Sequence, residues 1–164
     1  MPQVSLMVLQ QSQRRQLVFT GRYSESGVDA FWLDIKAFDA RKHKWLTGCS
    51  NERILSLPPE ILRGGFVLEV LSLYIPGLVE ADDLENIARI LAAADAGIPF
   101  TILAFFPEYR MKDFARPTAV EMVAAYRRVK AVGLKNIRLG NIGVFARSEA
   151  DQAFLAENVD PGAY

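Results

Sequence analysis

Four apolar runs, recurring roughly every 35 residues, constrain the fold of this chain most strongly. They are VDAFWLDI (28–35), FVLEVLSLYI (66–75), FTILAFF (100–106) and NIRLGNIGVF (136–145). Runs that are apolar almost without interruption are typical of strands buried on both faces, as in a parallel sheet covered by helices. The sequence therefore predicts four such strands from residue 28 onward. QVSLMVL and QLVF, within the poorly defined segment 1–25, are candidates for one or two more.

The segments between these runs carry helix signals. PTAVE predicts a helix start, with Thr118 as the cap and Glu121 returning the hydrogen bond, and Asp82 with Glu85 repeats the pattern. PPEILRGG (58–65) and DARKHKW (39–45) predict shorter helical pieces. Strands and helices alternate, so the chain is an α/β protein built of right-handed βα units.

This order fits two architectures, an open doubly wound sheet or an arc of a (β/α) barrel. The 164 residues form a single domain, residues 1–164, in which about half of the residues are hydrophobic. Because a closed eight-stranded barrel needs about 250 residues, the chain can supply only a partial (β/α) barrel.

Composition excludes several function classes. The net charge is zero, with 19 basic and 19 acidic residues, so nucleic acid and acidic membranes are not expected as partners. No apolar run has the length of a membrane span, and no signal sequence precedes the domain, which predicts a cytoplasmic protein. A single cysteine and a single histidine cannot form a zinc or iron–sulfur site by themselves.

Two opposite charges end the first of the four strands. Asp34 and Lys36 stand two residues apart, so they point to the same side at the carboxyl end, where barrels bind ligands. Burying a charge is costly unless it is paired or serves a site. Two interpretations stay open: a ligand-facing pair at the barrel mouth, or two charges that lie in water or pair with each other.

Other polar or turn-forming stretches fall at the same predicted rim. They are LTGCSNE (46–52), YIPG (74–77), FFPEY (105–109) and GNIG (140–143). Ser50 or Asn51 can place polar groups at the mouth. Cys49 has no evident base beside it and is interpreted as an inert small residue. His43, between two lysines, is expected to be exposed to solvent.

The order of DAFWLDIKAFDARKHKWLTGCSN, LEVLSLYIPG and FTILAFFPEYRM resembles the C-terminal half of radical S-adenosylmethionine (SAM) proteins. Within that superfamily, the resemblance is to pyruvate formate-lyase activating enzymes and their uncharacterised relatives. It runs over residues 27–145. It implies part of a (β/α)6 barrel, with SAM bound to a [4Fe–4S] cluster held by a CxxxCxxC motif, and a glycyl-radical partner protein as substrate.

The resemblance also implies roles for single residues. Lys36 would contact the SAM carboxylate by a charge-assisted bond, and Asp34 would serve a neighbouring cation or SAM itself. In the IPG turn, Ile75 and Pro76 would pack on the adenine. The chain departs from the family in lacking both CxxxCxxC and a Gly-Gly-Glu motif, and it has Leu71 and Tyr109 where many relatives have arginine and histidine.

The expected function is therefore that of a truncated or split radical SAM protein that supplies part of the SAM pocket and is inactive alone. A chain that supplies the missing half-barrel, or self-association, would complete it. A Schiff-base aldolase, with Lys36 as nucleophile and Asp34 as proton shuttle, is one alternative. A non-catalytic remnant that survives by oligomerising is the other.

Overall fold

The structure is a computed structural model that describes residues 6–9 as a strand and residues 27–164 in full. The strands are β1 (Leu6–Leu9), β2 (Ala30–Asp34), β3 (Val67–Tyr74), β4 (Phe100–Ala104) and β5 (Ile137–Gly140). The α-helices are α1 (Ala40–Thr47), α2 (Glu52–Arg63), α3 (Ala81–Ala94), α4 (Ala119–Ala131), α5 (Ile142–Phe145) and α6 (Glu149–Asn158). A short 3-10 helix, Tyr109–Met111, lies between β4 and α4.

The described strands form one parallel sheet in which the spatial order follows the chain order, β1-β2-β3-β4-β5. A doubly wound sheet reverses its order at a switch point and carries helices on both faces. Here the order never reverses. Helices α2, α3 and α4 pack on the same face of the sheet, in one hydrophobic core. The prediction of an α/β fold is confirmed, and the architecture is an arc of a (β/α) barrel.

Among the described residues, helices cover one face of the sheet, so strand burial alternates with the pleat. The expectation that the strands are buried on both faces is therefore wrong. The covered face carries Phe31 and Leu33 on β2, Val70 on β3, and Phe100 and Ile102 on β4, all 0% exposed. The opposite face, called the open face below, is half-buried to exposed except at Ala30 and Asp34. It carries Ala30, Trp32, Asp34, Val67, Glu69, Leu71, Leu73, Thr101, Leu103, Arg138 and Gly140. In a complete barrel this face lines the interior.

Two helix starts differ in how well the sequence predicts them. Thr118 and Glu121 form the predicted capping box at the start of α4. The predicted cap at Asp82 is wrong, because α3 begins at Ala81 and Asp82 lies in its first turn. Glu80 stands at the cap position and makes no side-chain capping bond.

Helix α2 is longer than the predicted piece, residues 58–65, because it begins at Glu52 and carries Pro58 and Pro59 inside it. Proline in a helix removes a backbone donor and costs free energy. Burial of Ile54 and Ile61 on the same helix offsets that cost.

The fourth apolar run is a strand only in its first part. β5 ends at Gly140, Asn141 adopts a left-handed conformation (φ 58°), and Ile142–Phe145 form a helical turn. An apolar run cannot by itself distinguish a strand from a buried helix. β5 is also protected on its edge, since the Leu139 amide donates to the Ala163 carbonyl at 2.6 Å.

At the other end of the sheet, β1 confirms part of the strand predicted for QVSLMVL, whereas QLVF (16–19) lies outside the described residues. None of the helices in the described ranges combines the length and the hydrophobicity that crossing a bilayer requires.

Candidate functional site at the carboxyl ends of the strands

Asp34 and Lys36 meet at the carboxyl end of β2. The Lys36 ammonium donates to Asp34 Oδ2 at 2.6 Å. The Asp34 side chain is 6% exposed and the Lys36 side chain 29% exposed. The structure therefore places both residues on one side, as predicted, and joins them in a partly buried ion pair.

The other carboxylate oxygen of Asp34, Oδ1, determines what else this ion pair could bind. Within the described part of the chain, Asp34 Oδ1 is buried and has no hydrogen-bond partner. A buried acceptor without a donor is costly, and few buried polar groups in proteins are left so. An ammonium group or a cation placed at Oδ1 would satisfy it. Because Lys36 has three donors and Asp34 uses one, it can also bind a carboxylate.

The loop after Lys36 is held by buried polar side chains. Asp83, 2% exposed on the first turn of α3, accepts the backbone amides of Phe38 (3.1 Å) and Asp39 (2.9 Å) at Oδ1. The Lys42 ammonium pairs with Asp83 Oδ2 at 2.6 Å. On the other side of the loop, the Asn51 amide donates to the Phe38 carbonyl at 2.6 Å.

The prediction that His43 is exposed is wrong. The ring is fully buried, and its Nδ1 lies 3.2 Å from the Ala37 carbonyl, which requires a proton on Nδ1. Burial lowers the pKa of His43, and the Ala37 carbonyl and the Asp34 charge oppose this only in part. Successive residues of a helix point in different directions, so His43 is buried while Lys42 is half-exposed and Lys44 is exposed.

The IPG turn follows β3 at the same end of the sheet. Ile75 is 1% exposed and packs in a small apolar cluster with Ala37, Val79 and Phe105, whereas Pro76 is half-exposed. Backbone bonds between Ile75 and Val79 close the turn. The structure therefore buries the Ile75 side chain beneath the turn and leaves the proline ring at the surface.

Two further rim loops hold non-glycine residues with positive φ, Tyr109 after β4 (50°) and Asn141 after β5 (58°). The Asn141 amide donates to the Ala104 carbonyl at 2.9 Å and so ties the ends of β4 and β5 together. In the segment between β4 and α4, the ring of Phe114 lies 6.1 Å, centroid to centroid, from the ring of Trp45 on α1, which is 62% exposed. Such strained backbone often accompanies binding sites.

Cys49 stands alone in the loop between α1 and α2 and is partly exposed. No cluster of three or more metal-binding side chains (Cys, His, Asp or Glu) occurs in the described ranges. Of the polar residues in this loop, Asn51 turns inward toward the loop after Lys36, while Ser50 stays at the surface.

Sequence reasoning missed one polar row on the open face. The Trp32 indole N–H donates to Glu69 Oε2 at 2.6 Å, and the Thr101 hydroxyl reaches Glu69 Oε1 at 3.5 Å. These residues come from three neighbouring strands. The available signal was Glu69, the single charged residue of a strand that is otherwise apolar except for Ser72 and the Tyr74 hydroxyl.

A polar cavity of about 280 Å³ lies at the opposite end of β5, away from this rim. It is lined by the end of α4, the start of β5 and the C-terminal segment, and both members of the Lys130–Asp160 ion pair are among its lining residues. The residues expected to bind a ligand are not among its lining residues, so the candidate site is the rim at Asp34 and Lys36.

This chain is similar to known proteins in sequence and in fold. No family model matches the chain. A protein of Methanocaldococcus jannaschii named as a glycyl-radical enzyme activating enzyme is 34% identical over 82 residues. That match spans 48% of this chain and 31% of the length of the relative.

Two solved structures share the fold. A domain of a pyruvate-formate lyase-activating enzyme from Bacteroides vulgatus superposes with a TM-score of 0.58 at 18% identity, over 76% of this chain and 77% of that one. A radical SAM methyltransferase from Sphaerobacter thermophilus gives 0.54 at 16% identity, over 68% of this chain and 34% of that one. At these identities the likeness shows the fold alone.

The chain is therefore similar in sequence to a glycyl-radical enzyme activating enzyme, of which it spans about a third. It shares its fold with a domain of a pyruvate-formate lyase-activating enzyme and with part of a radical SAM methyltransferase. The aldolase alternative is not favoured. An ammonium that pairs with a carboxylate, as Lys36 does, has no free electron pair for attack on a carbonyl.

Proposed function

We propose that this chain forms the carboxyl-terminal part of a radical SAM barrel and contributes Asp34 and Lys36 to the SAM pocket. The observation that carries the proposal is the ion pair at the end of β2, in which Asp34 Oδ1 is buried and has no partner among the residues that the structure describes. A pair retained only for stability would have both carboxylate oxygens satisfied, because a half-satisfied buried group costs more than an apolar one.

The two side chains suit the amino-acid end of SAM. Lys36 would donate to the SAM carboxylate while it keeps its bond to Asp34. Asp34 Oδ1 would accept from the SAM amino group or bind a neighbouring cation. Each of these contacts uses donor or acceptor capacity that the described residues leave free.

The IPG turn would contribute to the adenine end. Pro76 presents its ring at the surface, and Ile75 anchors the turn from below. Packing of an apolar ring against adenine would exclude water from the pocket and would not require Ile75 to leave its cluster.

The chain cannot hold the iron–sulfur cluster of its relatives, because three thiolate ligands are needed and the sequence has one cysteine. A cluster supplies the reducing electron for radical chemistry on SAM. Cysteines outside these 164 residues, in the rest of a longer chain or in a second polypeptide, would have to hold it. The half-exposed leucines of the open face, Leu71, Leu73 and Leu103, fit a surface that such a partner covers. A second copy of this chain is the other candidate to cover it.

Calorimetric titration of the purified chain with SAM tests the pocket. We expect binding that is weakened about tenfold or more in Lys36→Ala, because a charge-assisted bond is lost. Lys44→Ala, at an exposed position on α1, is the matched control and should bind as the wild type does. Absence of binding in the wild type would refute the proposal and leave an oligomerising remnant.

Anaerobic reconstitution with iron and sulfide tests whether this chain by itself can hold an iron–sulfur cluster. The chain alone should show no iron–sulfur absorbance afterward, because it lacks the thiolates. A stable cluster in the isolated chain would contradict the proposal that cysteines outside these 164 residues hold it.

A further inference from the structure

The loop from Lys36 to the start of α1 is fixed by an unusual number of buried polar side chains. It is four residues long, and three consecutive members, residues 37–39, have backbone groups bound by side chains from outside the loop. Most connections between a strand and a helix are held by their own turn geometry and by water. Here three separate elements supply the partners.

Each partner is itself held in place. Asp83 lies on α3 and is 2% exposed, Asn51 precedes α2 and is 3% exposed, and His43 lies on α1 and is fully buried. Asp83 is paired with Lys42, so its charge is compensated. Buried polar side chains with satisfied bonds fix one geometry, because any other arrangement leaves a donor or acceptor without a partner.

The strand holds Lys36 from the other direction. The Ile35 amide donates to the Leu71 carbonyl at 3.0 Å, which continues the β2–β3 ladder one residue past the end of β2. The Lys36 backbone therefore lies between a fixed ladder on one side and the fixed Ala37 carbonyl on the other. Only its side chain is left to move, and Asp34 binds that side chain.

We propose that Asp83, Asn51 and His43 are positioning residues that fix the Lys36 ammonium at the rim of the barrel. The inference rests on the proposed function, since it assigns these residues a part in holding the SAM carboxylate contact. None of the three needs to touch the ligand. They act indirectly. By binding the backbone of residues 37–39 they fix the adjacent Lys36 backbone, from which the Lys36 side chain reaches Asp34.

The central variant is Asp83→Ala, with Asp82→Ala as its matched control. Both residues lie in the first turn of α3, but Asp82 is 77% exposed and pairs only with Arg128 among the described residues. Asp83→Ala removes the acceptor of two loop amides. We expect the Phe38 and Asp39 amides to exchange hydrogen about tenfold faster or more in this variant and at the wild-type rate in the control.

Two further readouts follow Lys36 itself. Its acylation rate, measured by peptide mass spectrometry against that of Lys44, should rise in Asp83→Ala, because a mobile loop weakens the Asp34 pair. SAM affinity should fall about tenfold, which corresponds to about 1.4 kcal/mol. Asp83→Asn keeps an oxygen that can accept both amides, so it should restore slow exchange and most of the affinity.

If Asp83→Ala does not fold, Asn51→Ala replaces it, because it removes donors to the loop carbonyls and leaves α3 intact. Exchange and Lys36 acylation that match those of the Asp82→Ala control would overturn the positioning role. A wild-type chain that binds no SAM would refute the proposed function, and the exchange and acylation rates would still decide the positioning role.

Discussion

Replacing Lys36 by methionine tests whether the Asp34–Lys36 pair is kept for stability or for binding. Methionine preserves the length of the side chain and removes its charge. Among the described residues, Lys36 is the sole hydrogen-bond partner of the Asp34 carboxylate, whose other oxygen is already unsatisfied. The substitution therefore leaves a carboxylate that is 6% exposed with no donor at all.

The expected cost follows from the burial of each partner. Removing one member of a fully buried ion pair costs about 3–5 kcal/mol. Since the Lys36 side chain is 29% exposed, water already screens part of the interaction. We expect Lys36→Met to lower the free energy of unfolding by about 2–3 kcal/mol at pH 7, within the range that removal of a partly screened partner gives.

The double variant Asp34→Leu, Lys36→Met removes both charges. Replacing a buried ion pair by apolar side chains of similar size is often neutral or stabilising, so this variant should be at least as stable as the wild type. It should bind no SAM. Stability recovered together with binding lost would identify a pair that is kept for its ligand at some cost in stability.

Urea denaturation followed by tryptophan fluorescence gives the unfolding free energies. Lys44→Met is the control, because Lys44 is exposed and should change stability by less than about 0.5 kcal/mol. A double variant as unstable as Lys36→Met would mean that the Asp34–Lys36 pair contributes net stability. The pair would then not be kept for its ligand at a cost in stability.

Three further changes test the surrounding structure. His43→Gln should remove a loss of stability that begins below about pH 6.5, because burial lowers the folded-state pKa of His43 and the unfolded chain therefore takes up its proton first; unfolding measured from pH 5 to 8 checks this. Thr118→Ala should cost about 1 kcal/mol, measured by urea denaturation, because it breaks the capping box of α4. Ile87→Ala, at a fully buried position on α3, should cost about 2–5 kcal/mol in the same assay.

Each of these has a clear contrary result. An unchanged pH profile in His43→Gln would mean that other groups cause the loss below pH 6.5. Val120 is exposed on the same helix and serves as the control. A Thr118→Ala variant as stable as Val120→Ala would mean that the Thr118 cap does not stabilise α4. A cost below about 1 kcal/mol for Ile87→Ala would mean that the core tolerates the cavity or collapses into it.

The fold class could be predicted from the sequence, because buried strands appear as apolar runs and helix signals alternate with those runs along the chain. Strands covered by helices must be apolar, and the four runs satisfied that requirement. The choice between an open sheet and a barrel arc needed the strand order and the one-sided packing, which single-strand patterns do not encode. NIGVF shows the limit most clearly, because Asn141 reverses the backbone inside an apolar run.

The candidate site was predictable in part. Asp34 and Lys36 were found from a charge pattern at a strand end, and the structure brings them together. Asp83 was missed because an acidic residue in the first turn of a helix is normally a surface feature that favours the helix dipole. The burial of His43 was predicted wrongly for a different reason. Its neighbours in the sequence are charged, but whether a helical residue is buried depends on the helix face that it occupies.

Backbone NMR spectra of the chain, recorded during titration with SAM, test the central claim most directly, because they show where a ligand binds as well as whether it does. We expect shifts that are largest at residues 34–38 and 75–77 and that require about tenfold more SAM, or more, in Lys36→Ala. Shifts confined to the cavity beside β5, or no shifts at saturating SAM, would contradict it.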